Sequence, residues 1–127
     1  MEYRGQASAY ARGKVAINIS QGSEEEGVSH KPFQIAASGV PLVHIDRKGL
    51  AECFDPTTEV AVFDTPAEAR EIIGELVRDP DRRSAMASAA RQRFERDHTW
   101  AQRLTSMFEL ASLPIREFQA KSAAISN

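Results

Sequence analysis

The run KPFQIAASGVPLV, Lys31 to Val43, constrains the fold more than any other stretch of the chain. It spells a short helix, a glycine suited to the left-handed position after it, a proline that stops its continuation, and an apolar strand. Ser29 is placed to cap this helix. Pro32 fits the first turn, whose N–H groups have no intrahelical acceptor. Gln34 stands inside the helix, close in sequence to the acidic loop GSEEEG. A helix start and a polar side chain at a strand end are what open α/β sheets offer to bound ligands.

The elements around this run alternate. Glu2–Arg12 reads as a weakly patterned helix, and Val15–Ser20 (VAINIS) as an alternating, β-branched strand. Gln21–Val28, with its glycines and consecutive glutamates, is a loop. Leu42–Ile45 is a second strand, Leu50–Phe54 a short helix, and Glu59–Phe63 a third strand. Thr65-Pro66-Ala67-Glu68 combines an N-cap, a proline at the first helical position and a capping box. The helix it opens carries Ala69, Ile72, Ile73, Leu76 and Val77 as one apolar stripe. Asp79-Pro80 starts another helix, with Met86, Ala90 and Phe94 on the buried side. Thr99-Trp100-Ala101-Gln102 repeats the capping box before a stripe of Leu104, Met107, Phe108 and Ala111, and Pro114 ends that helix. Strands alternating with helices predict an α/β fold: a partial Rossmann-like domain over residues 1–113, with a short, mainly parallel sheet flanked by helices, then a polar tail over 114–127 that is expected to fray. So narrow a sheet leaves edges to cover, by further chain or by a partner, and a homo-oligomer is one way to do it.

Composition narrows the function classes. With 127 residues and a net charge of -2, the chain holds one core and no long basic stripe, so nucleic acid is not an expected partner. No apolar stretch is long enough to span a membrane, and the opening MEYRGQASAY is unlike a signal peptide, which points to a cytoplasmic setting. The single cysteine, Cys53, forms no internal disulfide and is expected to be buried and inert. No Cys/His spacing suggests a metal, no Ser–His–Asp or Cys–His set suggests a nucleophile, and GSEEEG is not a phosphate-cradling glycine loop.

Glu26, seven intervening residues and Gln34, followed by IAASGVP, resemble the donor-binding segment of retaining glycosyltransferases built from two Rossmann-like domains, the GT-B fold. In that family the segment reads Glu, then Glu after the same spacing, then a small-residue turn ending Gly-x-Pro. Asp46–Phe54, DRKGLAECF, resembles the Asp-x-x-Gly-x-x-Glu turn after the next strand. DPDRRSAMASAARQRFERDHTWAQRL resembles the closing helices of the subgroup related to the spore-maturation protein CgeB, including His98, Thr99, Trp100 and Arg103. The resemblance covers about residues 10–110 and implies a nucleotide-sugar as donor substrate, with no other cofactor.

Carried over to matching positions, the resemblance makes Glu26 the acidic contact to the donor sugar, Gln34 the residue that grips the ribose, and Lys31 a phosphate contact. Glu26 and Lys31 would thus stand at the reacting bond. Gln34 departs from the family's glutamate, offering one neutral acceptor and one donor where a carboxylate offers charged acceptors only. The resemblance also implies an N-terminal acceptor domain that this sequence does not contain, so the isolated chain is expected not to catalyse transfer.

The residues themselves leave alternatives open. Glu26, with Glu24 and Glu25, can be a solvated acidic loop, and Lys31 and His30 plain surface groups. Asp46 and Arg47 follow a strand at its carboxyl end and are better placed for a ligand. His44, in the apolar run LVHI, reads as a satisfied core or strand-edge histidine. His98 is expected to join two helices, and Trp100 and Phe108 to pack. Against the transferase stands a non-catalytic α/β module for binding or assembly. A receiver-like signalling domain fits the size but lacks acidic partners for Asp46.

Overall fold

The computed structural model of the chain describes residues 3–20 and 27–112, with side chains from residue 5. The chain divides into two compact units, Met1–Glu95 and Arg96–Asn127. The first holds α1 (Tyr3–Arg12), β1 (Ala16–Asn18), α2 (Lys31–Ala37), β2 (Leu42–Ile45), α3 (Leu50–Cys53), β3 (Ala61–Phe63), α4 (Pro66–Arg78) and most of α5 (Pro80–Asp97); the second holds α6 (Trp100–Leu110).

The three strands lie in the order β1-β2-β3, and both pairs are parallel. Ala16 faces Leu42 and Asn18 faces His44 in the first pair; Val43 faces Ala61 and Ile45 faces Phe63 in the second. This is the α/β arrangement with a short parallel sheet that the alternation of elements predicts, a partial Rossmann-like domain. Strands buried on both faces lose the polar alternation of a half-exposed strand, and β2 does so: Leu42, Val43 and His44 are all buried.

Two apolar clusters sit on the two faces. On one, Ala16, Leu42 and Val60 pack with Ile35 and Ala36 of α2, Leu50 of α3 and Phe54 at its end, and Ala90 of α5, and Tyr10 of α1 leans on the same cluster. Phe33 and Phe54 meet there with ring centroids 5.5 Å apart. On the other face, Val43, Ala61 and Phe63 pack with Ala69 and Leu76 of α4 and Met86 of α5. That second cover stops short of β1, where Ile17 is 48% and Ile19 62% exposed. Among the described residues β1 pairs only with β2, so its outer edge is unpaired.

Local signals set most boundaries. Gly39 has φ +72°, ending α2 in the left-handed region. Thr65 and Glu68 close their box, Thr65 Oγ1 accepting from the Glu68 N–H at 3.2 Å and Glu68 Oε2 accepting from the Thr65 N–H at 3.3 Å. Thr99 and Gln102 do the same, with Gln102 Oε1 accepting from the Thr99 N–H at 2.8 Å.

Several expectations are corrected. Ser29 does not cap α2: the N-cap is His30, in helical conformation and without a side-chain cap bond. The first and third strands are shorter than Val15–Ser20 and Glu59–Phe63. Glu59 and Val60 instead close a turn, both N–H groups donating to the Asp55 carbonyl. Val77 leaves the α4 stripe and is 40% exposed. Cys53 is half-buried rather than buried. No residue of α6 is buried, and Trp100, Met107 and Leu110 are 79%, 63% and 88% exposed, so the expected packing of Trp100 is not made among the described residues. Most of the loop Gln21–Val28, including Glu26, lies outside the described residues, as do Pro114 and the tail; α6 closes at Leu110, before Ser112 at φ +54°.

Candidate functional site

Parallel strands bring their carboxyl ends to one rim of the sheet, and in open α/β sheets that rim is where ligands bind. The side chains on the α2 face change character as they approach it. Ala16 and Leu42 are apolar; one rung further on, Asn18 and His44 stand opposite one another. Both are buried, at 6% and 2% exposure, and they are the buried polar residues among those described. Asn18 Nδ2 lies 2.9 Å from His44 Nε2, and His44 Nδ1 lies 2.5 Å from the Ile45 carbonyl oxygen. A carbonyl only accepts, so the proton sits on Nδ1, and Nε2 accepts from the Asn18 amide. The reading of His44 as a satisfied core histidine is thereby met. Asn18 is the residue that sequence reasoning missed; its signal was an amide at a position of VAINIS that the alternation turns to the core.

Beyond this pair the chain becomes polar. The Asp46 N–H donates to the Phe63 carbonyl at 2.8 Å, extending the β2–β3 ladder by one bond, and its carboxylate side chain is exposed. Arg47 is half-buried. Its Nη1 donates to the Asp46 carbonyl at 2.9 Å, while its buried Nε has no hydrogen-bond partner among the described residues. The buried Ser20 Oγ, just past β1, has none among the described residues either. A buried donor without an acceptor costs roughly 1–3 kcal/mol.

Gln34 stands elsewhere. With Gln6, Ala7, Tyr10, Ala37 and Ser38 it lines a hollow of about 220 Å³ between α1 and α2. Ser38 Oγ donates to the Gln34 carbonyl at 2.7 Å, which ties the end of α2 to the hollow's wall. Among the described residues, Lys31, Asp46 and Arg47 do not line it. Lys31 opens α2 as an exposed cation. The predicted set therefore divides: Asp46 and Arg47 at the rim, Lys31 on the exposed start of α2, Gln34 in the hollow, and Glu26 outside the described residues.

In the second unit, His98 Nδ1 lies 3.5 Å from Arg103 Nη2, and the Gln102 side-chain amide donates to the Arg96 carbonyl, joining the end of α5 to the start of α6. That is the helix-joining role expected of this segment. No helix among the described residues is long and apolar enough to cross a membrane. They also hold no group of three or more His, Cys, Asp or Glu side chains able to bind a metal ion.

A short parallel sheet flanked by helices gives this chain the arrangement of a partial Rossmann-like domain. A family model described as glycosyl transferase-like matches residues 2–109. The chain belongs to that glycosyl transferase-like family. Neither the curated proteins nor the solved structures gave a match.

Proposed function

We propose that this chain is the donor-contacting part of a GT-B glycosyltransferase of the CgeB-related subgroup, moving a sugar from a nucleotide-sugar to an acceptor. The observation that carries the reading is Arg47: a guanidinium at the carboxyl end of the central strand, half-buried, with a buried N–H that no acceptor among the described residues takes. Membership of the family supports the same reading.

In this proposal Arg47 and Lys31 hold the donor diphosphate and stabilise it as it leaves, the charge-stabilising role that dominates phosphate departure. Gln34, which lines the separate hollow between α1 and α2, is the residue that the resemblance assigns to the ribose. Glu26 orients the sugar. Asp46, a carboxylate that would repel phosphate, accepts from a hydroxyl instead. A separate acceptor domain or partner chain completes the cleft and covers the free edge of β1, so the chain alone binds donor without transferring it.

Titration of the full chain with uridine- and guanosine-diphosphate sugars, followed by amide chemical shifts, tests this. Movement at Lys31, Gln34, Asp46 and Arg47 is expected. Silence at millimolar ligand overturns it and leaves a binding or assembly module. The exposed Trp100, Met107 and Leu110 of α6 favour that second reading, because large apolar side chains open to water commonly mark contact surfaces.

A further inference from the structure

Burying Asn18 and His44 is costly for a core this small. Two apolar side chains of similar size would fill the same rung without desolvating an amide and an imidazole. The pair sits at the last rung of β1, where the core gives way to the rim. Asn18 commits its amide nitrogen to the imidazole, and no hydrogen bond to its carbonyl oxygen is found among the described residues.

Exposure keeps alternating past the strand: Ile17 exposed, Asn18 buried, Ile19 exposed, Ser20 half-buried. Ser20 therefore follows Asn18 on the same side of the chain. Its Oγ is buried and has no hydrogen-bond partner among the described residues. An amide oxygen and a hydroxyl thus come in one row, backed by an imidazole whose tautomer is fixed.

We infer that the row Asn18–Ser20, held by His44, is a binding element for the hydroxyls of a ring sugar. Its groups are neutral, and together they both donate and accept, which is what a hydroxyl requires. A phosphate oxygen would find no cation in the row to balance its charge. The cation for phosphate is Arg47, so the row and the arginine divide one ligand between them. This inference rests on the nucleotide-sugar reading and adds to it the residues that read the hydroxyls. Ser20 is the direct contact; His44 is a positioning residue.

The test compares wild type with Ser20→Ala on the full chain, using inorganic pyrophosphate, the nucleoside diphosphates, and uridine- and guanosine-diphosphate sugars as probes, with the ¹⁵N signals of the His44 ring as a second readout. Loss of the Ser20 hydroxyl should weaken the hydroxyl-bearing ligands about five- to tenfold, one neutral hydrogen bond, and leave pyrophosphate unchanged. The His44 ring signals should move when those ligands bind. A loss of the same size with nucleoside diphosphates assigns the row to ribose; a loss confined to nucleotide sugars assigns it to the transferred sugar. Wild-type affinity in Ser20→Ala with an unmoved His44 ring overturns the inference and leaves the donor reading standing. A wild-type chain that binds no nucleotide ligand overturns both.

Discussion

Asn18 and His44 face each other across the β1–β2 ladder, the amide nitrogen 2.9 Å from the imidazole Nε2, with both side chains buried. The partners are 26 residues apart in sequence, so the bond exists only once the parallel register has formed. A buried acceptor stripped of its donor bears its full desolvation penalty. Asn18→Ala should therefore lower unfolding stability by about 1–3 kcal/mol in urea titrations. The double replacement Asn18→Val with His44→Leu should cost less than the sum of the single ones, since it removes both polar groups at once. Strict additivity would mean that the hydrogen bond contributes nothing to the register.

Arg83 reaches back from α5 to the end of α4. Its Nη1 donates to the Leu76 carbonyl at 2.8 Å and to the Val77 carbonyl at 2.6 Å. These are last-turn carbonyls, which lack intrahelical donors, and a cation there also meets the negative end of the helix dipole. Arg83→Ala should cost about 1–2 kcal/mol, above the usual effect of a surface substitution. Arg70→Ala, an exposed arginine on α4, is the control and should stay within about 0.5 kcal/mol of wild type.

Elements announced by neighbouring residues were legible in the sequence. The stop at Gly39 and the boxes at Thr65 and Thr99 are decided within a few residues, and each stands where the spacing put it. Strand ends were less legible because pairing decides them. Glu59 and Val60 carry strand character yet are drawn into the turn closed by Asp55, and the β1 ladder ends at Asn18. The α2 cap moved from Ser29 to His30 because the helix starts without any side-chain bond to fix it. At the site, Asp46 and Arg47 follow from strand direction alone. The partnership of Asn18 with His44 and the hollow around Gln34 do not: one needs the register of two strands, the other the packing of α1 on α2.

Gly39 gives a sharp test of backbone strain because space is not limiting there. A Cβ at this position would have Arg91 Nη1 as its nearest neighbour at 3.8 Å, an ordinary contact with a flexible side chain. The φ of +72° is what excludes other residues. Gly39→Ala should destabilise by about 1 kcal/mol, the cost of a left-handed conformation, and Gly39→Asn by less, since asparagine tolerates that region better. A stability gain in Gly39→Ala, as seen where glycine adopts ordinary dihedrals, would show that the turn is not held in the left-handed region.

Asp55 sets a pH dependence. Its carboxylate Oδ1 accepts from the Thr57 N–H at 2.7 Å and from the Thr57 hydroxyl at 2.5 Å. Thr57's hydroxyl and backbone, and to a smaller extent Thr58, hold its pKa below the ordinary aspartate value. These bonds favour the charged form in the folded chain, so the unfolded chain takes up a proton at higher pH than the folded one. The stabilisation is therefore complete above the ordinary aspartate range and is lost as pH falls through the lowered folded value. The turn is exposed, so the effect is small and best read as a difference. Melting temperatures of wild type and Asp55→Ala should differ most near neutral pH and converge as the pH is taken well below about 4. A gap that stays constant from neutral to acid would assign the loss in Asp55→Ala to the turn's backbone preferences rather than to the carboxylate charge.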